Sequence, residues 1–267
     1  MGRQRRSAKR EREVDIDTGT AVLEEVPGEP DSFVLWVNGV PSSCVTLSDP
    51  LRLDFEYLDW MSRIIRVRHD DADGRGTPLR AVHIGAGGCS LPRWIDAHCP
   101  GSRQTAIDID AALLERVREW FDLPRKPRLA LRAGDGAREI LTFRPGSLDV
   151  LVRDAFSGSE TPAPLATQEF FDQCANVLAP SGTFLLNIAA APPHQLLKEE
   201  LRLLQQSFPY VALAIDPGNM RGRRYGNAVG IAAHTPPEPG IVARALRGGP
   251  AVARVLEGTQ LKAFTGR

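Results

Sequence analysis

The chain has 267 residues, 42% of them hydrophobic and 25% charged, and its 33 basic residues balance 33 acidic ones. That length holds one large domain, or one domain with a small appendage. The hydrophobic share excludes a disordered chain, and the zero formal charge leaves no overall electrostatic footprint for nucleic acid or a membrane surface.

The chain begins MGRQRRSAKREREVD, basic and without the apolar segment of a secretory signal. Residues 1–18 are expected to form a disordered basic tail. No stretch approaches the roughly 20 apolar residues of a membrane span, so the expected setting is the cytoplasm. From Thr18 to Cys44 short strands are predicted. "SFVLWVNGV" alternates partly at period two and carries Asn38-Gly39, a hairpin-turn dipeptide. "LRLDFEYLDWMSRIIRV" sets Leu53, Tyr57, Trp60, Met61 and Ile64 on one face at helical spacing. The polar, Gly- and Asp-rich "RHDDADGRGTP" reads as a linker. Residues 19–77 are thus a small β-rich N-terminal domain plus a helix.

From Pro78 to the end, residues 78–267, the pattern becomes strand–helix alternation, which implies an α/β fold with a mostly parallel sheet covered on both faces. Strands are predicted at "LRAVHIG", "SRQTAIDID", "RLALRAGDG", "LDVLVRDAF" and "PSGTFLLNIAA". Helices "LPRWIDAHC", "AALLERVREWF", "AREIL", "TQEFFDQCANVLA" and "HQLLKEELRLLQQSF" follow them in turn. "YVALAID" and "YGNAVGIAAH" would close the sheet, and a helix "IVARALRGG" with an extension ends the chain.

The four cysteines, Cys44, Cys89, Cys99 and Cys174, show no C-x-x-C pair and no histidine at ligand spacing. Neither a structural metal nor a disulfide framework is expected.

Four strand ends carry the residues suited to chemistry. Gly85-Ala86-Gly87-Gly88 lies at a strand-to-helix turn, where glycines let backbone approach a nucleotide and the helix start offers free N–H groups. It is G-x-G-G, not the full G-x-G-x-x-G, because Ser90 holds the last position. Asp108 ends the second strand 23 residues after Gly85, near the position of a carboxylate that binds ribose hydroxyls. Asp110 beside it suits a helix cap. Asp135, between Gly134 and Gly136, can accept from an exocyclic amine such as that of adenine. Asp154 ends a central strand, where open α/β sheets bind ligands, and can take a proton or hold a cation.

Together these motifs resemble the spermidine synthase (polyamine aminopropyltransferase) family from about Ser32 onward. "VLWVNGVPSS", "FEYLDWM" and "DVLVRDAFSGSETPAPL" resemble its N-terminal segment, its tyrosine-bearing helix and its catalytic strand and loop. The resemblance implies an S-adenosylmethionine-methyltransferase-like Rossmann domain with a small N-terminal β-rich appendage. It implies decarboxylated S-adenosylmethionine or S-adenosylmethionine as co-substrate, with no metal. Gly85, Ala86, Gly87 and Gly136 would line the nucleotide, Asp108 would bind ribose and Asp135 adenine. Asp154 would be the base that deprotonates a putrescine-like amine, and Tyr57 would line the amine site. A homodimer is implied, and neither nucleic acid nor membrane is an expected partner.

The sequence departs from the family where the family is acidic or polar. Gly88 stands at an acidic position, Ser157 where a second aspartate is expected, and Leu58 where the family has glutamine. Arg223 or Arg224 falls at an aromatic position. Such losses remove the partners that offset desolvation of an ammonium. Two alternatives stay open: an S-adenosylmethionine-dependent methyltransferase on the same scaffold, and a non-catalytic nucleotide-binding homologue.

Overall fold

The computed structural model describes residues 13–158 and 160–266. The basic run before residue 13 lies outside the described residues. The N-terminal sheet is an antiparallel meander of β1 (Val14–Ile16), β2 (Gly19–Val26), β3 (Glu29–Val37) and β4 (Val40–Thr46). Asn38 and Gly39 turn β3 into β4 with φ of 51° and 74°, the two positive values a type I′ turn requires. The tail expected through residue 18 does not extend over Val14–Thr18. Val14–Ile16 pairs with β2, and Asp17 and Thr18 are tied to Asp110, because the turn they form seats on a helix start.

Helix α1 (Glu56–His69) follows, beginning after Leu53 rather than including it. Then come β5 (Arg80–Ile84), α2 (Ser90–His98), β6 (Arg103–Asp108), α3 (Ala111–Trp120), β7 (Leu129–Ala133) and the single turn α4 (Gly136–Glu139). The chain continues through β8 (Leu148–Arg153), α5 (Gln168–Val177), β9 (Leu178–Ala189), α6 (Gln195–Ser207) and β10 (Tyr210–Ile215). It ends with a short α7 (Pro217–Met220), β11 (Asn227–Ala233), α8 (Ile241–Arg247), β12 (Arg254–Glu257) and α9 (Gly258–Thr265). The predicted linker after α1 is a compact turn, since Asp70 bridges Gly76 and the Thr77 hydroxyl bonds the His69 carbonyl. Pro180, Ser181 and Gly182 lie within β9, where its register against β8 shifts.

The main sheet has eight strands in the order β12-β10-β11-β9-β8-β5-β6-β7. β9, β8, β5, β6 and β7 run parallel, and β11, β10 and β12 add antiparallel to one side. The strand order reverses between β5 and β8, the switch point where ligands of open sheets lie. One core packs Phe170, Phe171, Leu197 and Leu201 of α5 and α6 on one face. The other face is covered by α1, α2 and α8, with Trp60, Met61 and Ile64 of α1 fully buried there. α1, grouped by the sequence with the small β-rich part, therefore packs on the large sheet. The N-terminal sheet shares a third core with α3, where Leu35 and Val45 meet Leu113, Val117 and Phe121.

Among the described residues no helix is long and apolar enough to cross a membrane.

Candidate functional site

Gly85 leaves β5 with φ of +90°, and a Cβ there would stand 2.1 Å from the Asp154 carbonyl oxygen. Only glycine fits, and the turn is consequently pressed against the end of β8. Two ladder-like bonds hold it: Gly85 N–H to the Ile107 carbonyl and Asp154 N–H to the Ile84 carbonyl, each 2.8 Å. The ends of β6, β5 and β8 thus meet at one edge.

Asp108 ends β6 facing this turn. Its Oδ2 accepts from the Ala86 N–H at 2.9 Å and its Oδ1 from the Asp110 N–H at 3.1 Å. Burial pushes its carboxyl above the usual range despite these donors. Asp135 follows β7 and caps α4, accepting from the Ala137 N–H at 2.9 Å. Gly136 behind it has no space for a side chain, since a Cβ would come 2.4 Å from Ile84 Cγ2. Asp110 is wholly structural: it caps α3 through the Leu113 N–H at 2.7 Å and holds Thr18 by N–H and hydroxyl.

Asp154 stands half-buried just past the end of β8. Its Oδ2 accepts from the Tyr57 hydroxyl at 2.9 Å and its Oδ1 from Asn187 Nδ2 at 2.8 Å. Burial pushes its carboxyl up, while the bonds from Asn187 and Tyr57 act to lower it. Behind it, the fully buried Arg153 donates to the carbonyls of Leu165 (2.8 Å) and Asn187 (3.2 Å) and pairs with Glu200 at 2.6 Å. Glu200 in turn accepts from the Thr161 hydroxyl at 3.2 Å. This ion pair fastens the loop after Asp154 to α6 and steadies the strand that carries Asn187.

The glycine turn, Asp108, Asp135 and Asp154 meet in one cleft of about 1310 Å³, large against the roughly 300–1,000 Å³ of ordinary ligand pockets. Gly85, Ala86, Gly87, Asp108, Asp135, Gly136, Asp154 and Tyr57 all line it. Among the described residues no lysine or arginine lines it. The one histidine there, His83, is buried against Gln104 and pushed down to about 4 by burial, so it is neutral at pH 7. Ser43 of the N-terminal sheet reaches the Gly turn, accepting from the Gly88 N–H at 2.7 Å. A Cβ at Gly88 would stand 2.8 Å from Ser43 Cβ, so the position has no room for the acid that the resemblance expects.

The arginine run lies outside the cleft. Arg221, Arg223 and Arg224 are exposed, and Arg224 pairs with Asp216 at 2.8 Å. The aromatic residue that lines the cleft at this point is Tyr225. Asn187, Arg153 and Glu200 were not singled out in the sequence. The available signal was one amide in the apolar run of β9, one cation in β8 and one acid on the apolar face of α6.

Elsewhere Asp70, His98 and Cys99 bring three ligand-type atoms within 4.8 Å of one another, a grouping the cysteine spacing did not disclose. His98 Nε2 already bonds Asp70 at 2.9 Å, and Arg66 Nε lies 3.8 Å from the same carboxylate. The neighbouring guanidinium opposes a cation, and burial pushes the Cys99 thiol up to about 12.

The fold recurs in a crystal structure described as a probable spermidine synthase from Corynebacterium glutamicum ATCC 13032. It is 34% identical, covers 95% of this chain and 92% of that one, and superposes with a TM-score of 0.86. The chain belongs to the spermidine synthase family. Within it, residues 82–186 match the family described as "Methyltransferase domain". A polyamine aminopropyltransferase of Neisseria meningitidis serogroup A is 37% identical over 41% of this spermidine synthase family member and 42% of its own length. An eEF1A lysine and N-terminal methyltransferase of Mus musculus is 30% identical over 50% of this chain and 20% of its own length. The chain thus spans less than half the length of both curated relatives.

Proposed function

We propose that this protein is a transferase that binds decarboxylated S-adenosylmethionine and moves its aminopropyl group to an amine. The observation that carries this reading is Asp154: a half-buried carboxylate at the sheet's switch point, held from two sides by Tyr57 and Asn187. The nucleoside would lie along the Gly85–Gly87 turn, with ribose hydroxyls on Asp108 and the adenine amine on Asp135 beside Gly136. These residues fit such a group, because the turn has no side-chain bulk and two carboxylates face the cleft beside it. In the reaction the amine nitrogen attacks the carbon attached to the sulfonium. The C–S bond breaks, its electron pair returns to sulfur as a neutral thioether, and the nitrogen's proton passes to Asp154. Its upward-shifted carboxyl is a stronger base than an ordinary aspartate. The protein's further contribution is to hold amine and sulfonium in line.

Calorimetry with decarboxylated S-adenosylmethionine, S-adenosylmethionine and methylthioadenosine, followed by mass spectrometry of products with amines, tests this. Absence of nucleotide binding removes the reading.

One observation favours methyl transfer as a second reading. Gly88, closed off by Ser43, provides no acid to select an ammonium, so intact S-adenosylmethionine meets no obstacle there. Transfer of a labelled methyl group to the amine would decide for it. The reading also includes a homodimer. The outer face of the N-terminal sheet, where Val22 pairs with Trp36 and Val34 with Cys44, is the surface it would use. Light scattering of the purified chain tests that, with the dimer's mass expected.

A further inference from the structure

The acceptor end of the cleft holds one carboxylate. The cleft's acids are Asp108, Asp110, Asp135, Asp154 and Glu160. Asp110 spends both oxygens on backbone and Thr18, and Asp108 and Asp135 serve the turns at the other strand ends. Glu160 is exposed on the loop at the mouth. Asp154 alone lies beside Tyr57.

Beyond its two hydrogen-bond partners Tyr57 and Asn187, the cleft on the α1 side presents apolar side chains. The Phe55 ring lies 6.0 Å from that of Tyr57, and Phe55 and Leu58 both line the cleft on the α1 side. Ala189, two residues beyond Asn187 on β9, lines it as well. The rim continues this character. Of the nine exposed large hydrophobic residues among those described, five line this cleft: Val40, Ile109, Phe156, Leu196 and Tyr225. Tyr225 is 78% and Ile109 68% exposed. Exposed apolar side chains gathered round one opening mark a surface that receives apolar matter.

A diamine brings two cations. One must shed its proton to solvent before it can attack, and Asp154 then takes the proton released as the new C–N bond forms. The other would be buried against Phe55 or Leu58 without a carboxylate to offset its desolvation, which is strongly unfavourable. An amine on an apolar body meets no such cost and buries its carbon chain besides.

Resting on the transferase reading, we propose that the acceptor is a monoamine with an apolar body, its single nitrogen delivered to Asp154, and that short diamines are poor substrates. The step balances as before. The neutral amine gains the transferred carbon group, the sulfonium leaves as a thioether, and one proton goes to Asp154.

The test supplies the full chain with decarboxylated S-adenosylmethionine, and in parallel S-adenosylmethionine. Matched acceptors are added: butylamine against putrescine, pentylamine against cadaverine, and phenethylamine. Products are read by mass spectrometry, and nucleotide binding is measured separately by calorimetry. The expected result is a kcat/KM for the monoamine roughly tenfold or more above that of its matched diamine. Ser157→Asp, which adds a carboxylate to the loop lining the cleft, is expected to narrow that ratio. Equal or better use of diamines, or nucleotide binding without turnover of any monoamine, overturns the inference and leaves nucleotide binding standing. A chain that binds no nucleotide overturns the transferase reading and this inference together.

Discussion

The Tyr57 hydroxyl donates to Asp154 Oδ2 at 2.9 Å, joining α1 to the end of β8 across 97 positions of sequence. The bond stabilises the ionised carboxylate against the pull of burial, so its removal moves the carboxyl further up. Tyr57→Phe is expected to shift the acid limb of the pH–rate profile to higher pH by about one unit. A hydrogen bond to a charged group is worth about 1.5–3 kcal/mol, and one unit corresponds to about 1.4 kcal/mol. Nucleotide affinity should stay unchanged. An acid limb that does not move would separate Asp154 from the titrating base.

Asp154→Asn should lower turnover by about 10²–10⁴-fold, the usual contribution of a positioned general base, while nucleotide binding persists. Stability provides a second readout. The folded-state carboxyl is shifted upward, so folding is favoured most below the ordinary aspartate range and loses stability as pH rises through the folded value. The Tm of Asp154→Asn relative to the native chain is therefore expected to rise with pH. Thermal melts across the acid-to-neutral range check this.

Arg153→Met leaves Glu200 buried without its cation. Breaking one side of a buried pair costs about 3–5 kcal/mol, whereas replacing both sides with apolar residues is often nearly neutral. Arg153→Met with Glu200→Leu should therefore recover much of the stability lost by the single change. Because Arg153 also holds the Leu165 and Asn187 carbonyls, the double variant should still show reduced turnover. Denaturant melts and a double-mutant cycle measure both effects.

Asp110→Ala removes the α3 cap and the tie to Thr18 together, at an expected cost of about 1–3 kcal/mol. Burial pushes the Asp110 carboxyl up, but the Leu113 and Thr18 donors outweigh it and hold it below the ordinary value. Its contribution is therefore present above the unfolded-state value and lost as pH falls through the lower folded one. The native chain and Asp110→Ala should converge in Tm on acidification.

Local pattern carried much of this protein. The change from period-two strands to strand–helix alternation at Pro78 states the α/β class, because apolar spacing reports which face each element buries. Asp108 and Asp154, at or just past strand ends, were legible for the same reason, since a polar residue closing an apolar run marks a strand terminus, and Gly85 and Asp135 were legible through the glycines of their turns. Tyr57 was legible only through resemblance, as one apolar-face residue of a helix among several.

Tertiary structure alone decided which of those ends meet. Strand order β9-β8-β5-β6 brings Asn187, Asp154, Gly85 and Asp108 to one edge, and no periodicity along the chain encodes the order of strands in a sheet. The same holds for the Arg153–Glu200 pair and for the closure of Gly88 by Ser43, 45 positions away. These are contacts between residues distant in sequence, fixed by how two apolar faces pack on one sheet rather than by any local preference of the chain.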